Sequence, residues 1–477
     1  MGDEIVSSQF SDADYSNYWE KLSSETRLLR QMFQDQLFED GQAVFGLEQE
    51  AWIVDHECQP KPENQFLLDQ MNSELLSPEL AKFNIELNVT PQLLARDGLQ
   101  KVHRELEELW TKCEESIAQK NLKLQMIGIL PTVKESDLTL KYMSEMKRYR
   151  ALNEQVLKSR NGSPIRLDIV GNEHLKCDHN DVMLESAATS FQLHRQIPPA
   201  ASARYYNTSI ILSAITVAIS ANSPYLFESE LWDETRIPLF EQAVEVGGYG
   251  SAARGPIRRV TFGSGYAKET ILECFNENLA HYPVLLPVKF DSEESELRYL
   301  RMHNGTIWRW NRPLIGFDEN KKPHLRIEHR VISAGPTVID EMANAVFFTG
   351  LQEYYATIEN APENKLSFSD AKSNFYSAAQ HGLETKIRWL NGEKISITNL
   401  VLNELIANAK LGLRQLDVDD VLINEYLHII QARVRSGQTG AIWQKKYVAK
   451  HGRDVTLLAK AYWQNQKTGA PVHQWLV

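Results

Sequence analysis

The sequence predicts an α+β fold, in which a mostly antiparallel sheet carries helices on one face and an open site on the other. The first observation is that four segments far apart in the 477-residue chain have the pattern of strands with one polar face, at 44–54, 83–89, 189–194 and 325–331. The second is that apolar residues recur at helical spacing between these segments. Because the polar faces carry ligand-type side chains, we expect the open face to hold the functional site.

The composition is that of an ordinary globular protein with a formal net charge of -12, which argues against a broad nucleic-acid surface. The four cysteines are scattered without a Cys-x-x-Cys pair, which argues against a zinc ribbon or a disulfide framework and favours a reducing compartment. The N-terminus lacks the blocks of a signal peptide, and the longest apolar run, residues 209–221, is too short to span a bilayer. We therefore expect a cytoplasmic protein without nucleic-acid or membrane partners; its oligomeric state is not predicted.

The strand at 44–54 carries two carboxylates, Glu48 and Glu50, between apolar residues. Side chains two positions apart on a strand point the same way, with Cα atoms about 6.5 Å apart. Two such charges repel each other and are costly to desolvate, and Mg²⁺ or Mn²⁺ would remove that cost. A solvated strand face with ordinary glutamates is an equally good interpretation of this segment alone.

Two further strands carry polar residues of the same kind. Residues 83–89 alternate strictly, which places Glu86 on a polar face opposite the apolar residues of the core. In 189–194, Gln192 and His194 share a face. A lone histidine on a strand is more often a core or surface residue than a ligand, so this segment indicates a site only together with the others.

The strand at 325–331 places Arg326, Glu328 and Arg330 on one face, within reach of one anionic ligand. A cross-strand ladder of salt bridges is the alternative. The Gly- and Arg-rich segment 247–266 is typical of a mobile loop that closes over a site and brings guanidinium groups to a carboxylate or phosphate, but a flexible surface connection explains it equally well. It matches neither a Walker A loop nor a dinucleotide fingerprint.

The remaining elements connect these strands. Shorter strands are predicted at 122–129, 166–170 and 306–310, and helices at 12–36, 99–120, 143–160, 200–221, 340–359 and 396–435. No repeat, linker or boundary divides the chain. Residues 1–477 are therefore predicted to form a single domain with a helical C-terminal portion from about 340 to 477.

Taken together, four carboxylates and one histidine on strand faces could hold more than one Mg²⁺ ion. Carboxylate sites for Mg²⁺ usually serve nucleotide phosphates, so the combined pattern favours an enzyme that uses a metal and a phosphate compound. The alternative of another class is a noncatalytic metal-binding or structural protein. Only Arg326 and Arg330 would then compensate the acids on that face, which argues against it.

Five motifs, in this order, resemble the glutamate–cysteine ligases of the bacterial and plant type and their carboxylate–amine ligase relatives in the glutamine-synthetase-like superfamily. The match runs from about residue 40 to 350 and weakly to Ala441. The motifs are Gly46-Leu47-Glu48-Gln49-Glu50, Glu86 with Thr90-Pro91, Ser190-Phe191-Gln192-Leu193-His194, Ser220-Ala221-Asn222-Ser223-Pro224, and Arg326-Ile327-Glu328-His329-Arg330 with Gly335-Pro336-Thr337.

This resemblance implies a glutamine-synthetase-like fold, in which a curved, mostly antiparallel sheet forms an active-site funnel with metals inside and helices on its outer face. It implies that the single domain is catalytic and joins a carboxylate to an amine with ATP, through an acyl phosphate. Glutamate and cysteine are the best match, which would give γ-glutamylcysteine through a γ-glutamyl phosphate in glutathione biosynthesis. A ligase of the same fold that joins another acid or amine is the alternative.

The resemblance also implies roles for particular residues. Arg330 and Arg326 would act on the transferred phosphoryl group, and Arg254 and Gln192 would bind substrate. Glu48, Glu328 and Arg330 would contact the nucleotide with its metal. The implied ligands of Mg²⁺ or Mn²⁺ are Glu48, Glu50, Glu79, Glu86, His194 and Glu328.

Three positions depart from the family pattern. Residues 130–132 stand where relatives often have a His-Pro pair, Arg195 replaces a small or apolar residue after His194, and His329 lies between Glu328 and Arg330. These departures are compatible with the metal and ATP chemistry, but they leave the identity of the amine and of the acid open.

Overall fold

The structure is a computed structural model that describes residues 4–5, 8–41, 43–247 and 258–477. Its strands are β1 (Val44–Val54), β2 (Leu76–Pro78), β3 (Asn84–Asn88), β4 (Gln92–Leu93), β5 (Lys123–Gln125), β6 (Ile165–Val170), β7 (His174–His179), β8 (Ser190–Ile197), β9 (Tyr225–Leu226), β10 (Ser229–Glu230), β11 (Val260–Thr261), β12 (Trp308–Arg309), β13 (Asn311–Phe317), β14 (Pro323–Ser333), β15 (Lys386–Arg388) and β16 (Lys394–Ser396). Its helices are α1 (Asp12–Gln34), α2 (Asn64–Met71), α3 (Gly98–Ala118), α4 (Lys147–Ser159), α5 (Ser202–Ser220), α6 (Arg236–Ala243), α7 (Leu272–His281), α8 (Arg298–Gly305), α9 (Val338–Thr357), α10 (Phe368–His381), α11 (Ile397–Leu400), α12 (Ile406–Gln415), α13 (Asp420–Ser436), α14 (Gly440–His451) and α15 (Val455–Gln466).

An eight-stranded sheet organises the fold. Its strands follow the order β13-β14-β8-β1-β3-β2, and β4 and β5 also pair with β1. Every one of these pairings is antiparallel. Helix α5 packs on the sheet against β14, and α9 packs on α5. The predicted fold class, a curved antiparallel sheet with helices on its outer face, is therefore confirmed.

The register of the sheet aligns the polar residues of separate strands. Glu50 of β1 lies opposite Glu86 of β3, and Glu48 lies opposite Gln192 of β8. On the next strand, Glu328 of β14 lies opposite His194. Because side chains alternate along each strand, all six point to the same face of the sheet.

The opposite face of the sheet is mostly apolar and faces the helices. Phe45, Leu47, Phe191 and Leu193 are buried there, in a core that also contains much of α5. Every residue of α5 except Arg204 is buried, and its second half is apolar or small throughout. This helix therefore supports the strands that carry the polar face.

Two of the departures from the family pattern also lie on the helix side. The Arg195 guanidinium pairs with Glu353 of α9 and lies 5.0 Å from the centre of the Tyr205 ring. The His329 ring stacks on Phe348, with 3.8 Å between ring centres. Each follows a residue of the polar face by one position, so alternation turns it away from that face. Neither side chain therefore lines the cavity.

Several predicted elements differ from the structure. The predicted strand 306–310 is only β12, which pairs with β11 outside the main sheet, and β13 was assigned no strand. Pro313 and Gly316 weaken the strand signal of β13, but an edge strand tolerates proline. Strand 122–129 shortens to β5, and helix 143–160 begins only at Lys147. Beyond α9 the chain is mostly helical, with the β15–β16 hairpin as an addition.

Within the described ranges, no helix combines the length and the apolar character that crossing a membrane requires.

Candidate active site

The polar face of the sheet lines a cavity of about 1230 Å³. Side chains from β1, β8, β13 and β14 form its floor, and residues from α4, α6, α7 and α8 form its walls. The predicted site residues that line the cavity directly are Glu48, Glu50, Glu79, Gln192, His194, Arg326, Glu328 and Arg330. Glu86 is fully buried beneath it, against Glu50 and Glu79.

The first cluster at the cavity consists of Glu48, His194 and Glu328, which come from three neighbouring strands. One ligand atom of each lies within 4.8 Å of the others. His194 Nε2 is 3.1 Å from Glu48 Oε1 and 3.7 Å from Glu328 Oε1, but neither ring nitrogen has the geometry of a hydrogen bond. Burial raises the pKa of Glu48, but the adjacent His194 outweighs burial and lowers that pKa to about 2. The carboxylates of this cluster are therefore held as anions beside the imidazole ring of His194.

The second cluster consists of three carboxylates, Glu50, Glu79 and Glu86, again with ligand atoms within 4.8 Å of one another. Burial, together with the charge of Glu48, raises the pKa of Glu86 to about 7. Burial also raises the pKa of Glu79 and Glu50, and Glu79 feels the charges of both neighbours in addition. Three buried like charges repel one another, so an ionised cluster requires a cation.

Hydrogen bonds fix part of this second cluster. Glu50 Oε2 accepts from the Ser190 N–H at 2.7 Å, and its Oε1 accepts from Gln192 Nε2 at 2.9 Å. Glu86 Oε1 accepts from Ser77 Oγ at 2.7 Å. The buried Oε1 of Glu79 and Oε2 of Glu86 have no hydrogen-bond partner, so each offers a free oxygen to a ligand.

Arginines surround Glu328. Arg330 Nη1 donates to Glu328 Oε2 at 3.0 Å and also to Gln192. Arg312 binds the same carboxylate with two hydrogen bonds of 2.8 Å, from Nε and Nη2. Burial opposes ionisation of Glu328, but Arg312 and Arg330 hold its pKa well below the usual range. Arg326 lines the cavity without a hydrogen bond or ion pair to any residue that the structure describes.

Sequence reasoning missed several residues of the cavity. Arg312 was missed because β13 was not predicted, and only the pairing of β13 with β14 shows that it lies opposite Glu328. Arg148 and Tyr149 of α4 line the cavity, although a basic helix is usually a surface feature. Glu185 also lines the cavity, and burial, with the charge of Glu50, raises its pKa to about 8. The sequence alone gives no indication that these residues lie at the cavity.

Half of the predicted lid, residues 248–257, lies outside the described residues, and Arg254 with it. Part of the described half is held by the scaffold. Val260 and Thr261 form β11, and the buried Arg259 donates from Nη1 to the Thr306 carbonyl at 3.0 Å. Residues 259–261 are therefore anchored in the fold, and the closing loop stays a prediction.

One wall of the cavity is apolar. Its side chains come from α6, α7, α8 and the segments beside them, and Arg298 and Arg301 of α8 also line the cavity. The residues that form it are Phe240, Val244, Phe275, Leu286, Phe290, Met302 and Trp308. The cavity can therefore accept a ligand with one strongly anionic end and one apolar end.

All six predicted metal-ligand residues lie in the two clusters, three in each. Two sets of oxygen-rich donors at one cavity, with arginines beside them, suit polyanions and the hard cations that accompany them. The role of these residues as metal ligands stays a prediction.

The model of glutamate–cysteine ligase family 2 matches residues 44–461. The solved glutamate–cysteine ligase of Francisella tularensis, in complex with AMP, is similar with a TM-score of 0.53, 10% sequence identity and 90% of each chain covered. A bifunctional glutathione synthetase from Pasteurella multocida has a TM-score of 0.49 and 12% identity, over 93% of this chain and 55% of that one. No curated protein matches the sequence.

The likeness to the Francisella protein is one of fold. The family match shows more than a shared fold, because it extends from β1 into α15 and so includes every strand that lines the cavity. The chain therefore belongs to glutamate–cysteine ligase family 2.

Proposed function

We propose that this protein is an ATP-dependent carboxylate–amine ligase, which joins glutamate to cysteine through γ-glutamyl phosphate and releases γ-glutamylcysteine. The observation that carries the proposal is the pair of carboxylate clusters beside arginines in one cavity. In this reaction a substrate carboxylate attacks the γ-phosphoryl group of ATP, so two anions must meet. The family match and the AMP bound to the Francisella ligase support a nucleotide as one ligand.

The residues present fit Mg²⁺ or Mn²⁺. Glu50, Glu79 and Glu86 offer oxygen donors only, and the free oxygens of Glu79 and Glu86 are the ones that a hard cation would take. The cluster of Glu48, His194 and Glu328 adds one nitrogen donor to two carboxylates. Bound there, the metal ions would neutralise phosphate charge and polarise the γ-phosphoryl group.

The arginines have separate tasks in this proposal. Arg326, which has no partner among the described residues, binds the phosphoryl group or the substrate carboxylate with its free fork of donors. Arg330 approaches the same anion from β14, and Gln192 fixes both Arg330 and Glu50. Arg312 orients Glu328 through two parallel hydrogen bonds. Together they hold the two reacting anions at close range.

We also propose that the chain acts as one catalytic domain. The C-terminal helices are tied to the scaffold of the cavity rather than to a unit of their own. Arg433 of α13 forms a buried ion pair with Asp340 of α9 at 2.7 Å. Tyr462 of α15 donates to the Met126 carbonyl, just after β5, at 3.0 Å. Removing these helices would therefore expose the apolar surface of α9 and of the segment after β5.

A second candidate function keeps the chemistry and changes the amine. Cysteine is a small substrate, whereas the apolar wall contains the aromatic side chains Phe240, Phe275, Phe290 and Trp308. Such a wall favours an amine with an apolar or aromatic group, because burial of that group adds about 25 cal/mol per Å². This candidate is a ligase of the same fold that joins glutamate or another acid to a larger amine.

The test measures ADP release with ATP, Mg²⁺ and glutamate while one amine at a time is added. The set of amines contains cysteine, smaller amino acids, and apolar and aromatic amines, and mass spectrometry identifies the product. Cysteine-dependent ADP release with γ-glutamylcysteine as product supports the first candidate. Release that requires a larger amine supports the second candidate, and release with no acid–amine pair refutes a ligase.

A pair of variants separates catalysis from folding in this test. Glu50→Gln removes one charge from the second cluster and is expected to abolish turnover while the protein remains folded. Glu20→Gln, at an exposed position of α1, is the matched control and should keep the activity. If Glu50→Gln unfolds the protein instead, the carboxylate has a structural role.

A further inference from the structure

A third group of metal-type donors lies outside the cavity. Glu135, Cys177 and His179 place one ligand atom each within 4.8 Å of one another. None of them lines the cavity. Cys177 and His179 are two positions apart on β7 and so project to the same side of this strand, whereas Glu135 opens the 3₁₀ turn Glu135–Asp137.

The histidine of this group is buried and lacks a hydrogen bond. The His179 side chain is 7% exposed, and its Nε2 lies 3.3 Å from Glu135 Oε1 without the geometry of a hydrogen bond. A buried polar nitrogen without a hydrogen bond is costly unless a ligand occupies it. The Glu135 side chain is 52% exposed, so the group opens to solvent on one side.

We propose that Glu135, Cys177 and His179 form a zinc site separate from the magnesium clusters. One thiolate, one imidazole and one carboxylate form a mixed donor set that suits Zn²⁺, whereas Mg²⁺ prefers oxygen donors alone. Water from the exposed side would complete a tetrahedron as the fourth ligand.

Zinc binding requires the thiolate form of the cysteine. Burial, with the charges of Glu135 and Asp178, raises the pKa of the Cys177 thiol to about 12. Coordination therefore replaces the S–H bond by a bond from sulfur to zinc, and the proton leaves for solvent. No electron is transferred in this step.

The position of the site indicates what zinc would do. Glu135 belongs to the segment that leads into α4, which contributes Arg148 and Tyr149 to the cavity. Cys177 and His179 lie on the strand that leads to Glu185, another cavity residue. Zinc would therefore join two segments that continue into the cavity wall and would stabilise that wall.

Cobalt binding to the full-length protein tests the proposal, because a thiolate bound to Co²⁺ gives a charge-transfer absorption band that carboxylate and imidazole ligands do not give. The metal-free protein is titrated with Co²⁺ in excess Mg²⁺, which competes for the carboxylate clusters. The variants are Cys177→Ala, Glu135→Gln, and the matched control Cys113→Ala at a buried cysteine of α3. Thermal unfolding with and without Zn²⁺ is measured in parallel.

We expect one equivalent of Co²⁺ to produce the thiolate band in the unchanged protein and in Cys113→Ala, but not in Cys177→Ala. Glu135→Gln, at a half-exposed side chain, should keep the fold and the band but bind Co²⁺ at least about 10-fold more weakly. Zn²⁺ should raise the unfolding temperature of the unchanged protein and of Cys113→Ala, but not that of Cys177→Ala. Absence of the band in the unchanged protein, its persistence in Cys177→Ala, or unaltered affinity in Glu135→Gln would overturn the proposal.

Discussion

Replacing Glu86 by glutamine should stabilise the metal-free protein and weaken its stabilisation by Mg²⁺. Burial and the charge of Glu48 raise the pKa of Glu86 from 4.5 to about 7. Below pH 4.5 the carboxyl is protonated in the folded and in the unfolded protein, so the raised pKa does not change the free energy of unfolding. As pH rises towards 7, ionisation of the carboxyl in the unfolded protein lowers the free energy of unfolding progressively. The full cost at pH 8 is about 3 kcal/mol.

Glu86 Oε1 accepts hydrogen bonds from Ser77 and Asn88, and both bonds favour the ionised carboxylate. The raised pKa of Glu86 already includes their effect, so the figure of about 3 kcal/mol is net of these bonds. We therefore expect the free energy of unfolding of Glu86→Gln to exceed that of the unchanged protein by about 3 kcal/mol at pH 8 in a chelator. The two proteins should be equally stable near pH 4, where the carboxyl is protonated.

Urea denaturation at pH 4, 6 and 8, with chelator or with Mg²⁺, measures this difference. Mg²⁺ should stabilise the unchanged protein at pH 8 more than it stabilises Glu86→Gln, because binding to the native state adds stability only where a site exists and the variant keeps only the cluster of Glu48, His194 and Glu328. Glu20→Gln, on the exposed face of α1, controls for the loss of one charge. If Glu86→Gln is less stable than the unchanged protein at pH 8 in chelator, the carboxylate holds the fold together and the reasoning fails.

Three further predictions concern the arginines and the metal. Arg312→Gln should lower the rate of ADP release by about 100-fold with little change in fold, because Glu328 loses its two parallel hydrogen bonds. Arg312→Lys should restore only part of the rate. Equal rates in the unchanged protein and both variants would contradict this prediction. Arg195→Met should lower the free energy of unfolding, measured by urea denaturation, by about 3 kcal/mol, because it leaves Glu353 buried without its cation. The KM values of the remaining folded enzyme should stay unchanged. Altered KM values would place Arg195 at the site. Chelation should abolish ADP release and Mn²⁺ should restore it, and activity that persists in chelator would exclude a role for the metal.

The acidic side of the site was largely predictable, and the reason is the period of two in a strand. Alternation alone places Glu48 and Glu50 on one face of β1, and the same rule orients Glu86, His194 and Glu328. The division of the ligand residues into two clusters was not predictable. It depends on the register that sets Glu50 opposite Glu86, and register is a property of pairs of strands rather than of either segment.

The residues that were missed lie where local pattern carries no information. Arg312 lies on an edge strand in which Pro313 and Gly316 weaken the strand signal. Glu79 follows β2 outside any alternating segment, so only the family resemblance indicated it. Arg148 reaches the cavity because of how α4 packs. Tertiary contacts decide such positions, and a single sequence does not record them.

Strand β1 has a consequence for how the protein would acquire two ions. It supplies Glu48 to one cluster and Glu50 to the other, so one short length of backbone sets both positions. Ordering that backbone for a first ion would also order it for the second, and filling should then be cooperative. The spacing between the ions would follow the repeat of an extended chain rather than the placement of loops. The ions would then hold a nucleotide's phosphates at a fixed separation.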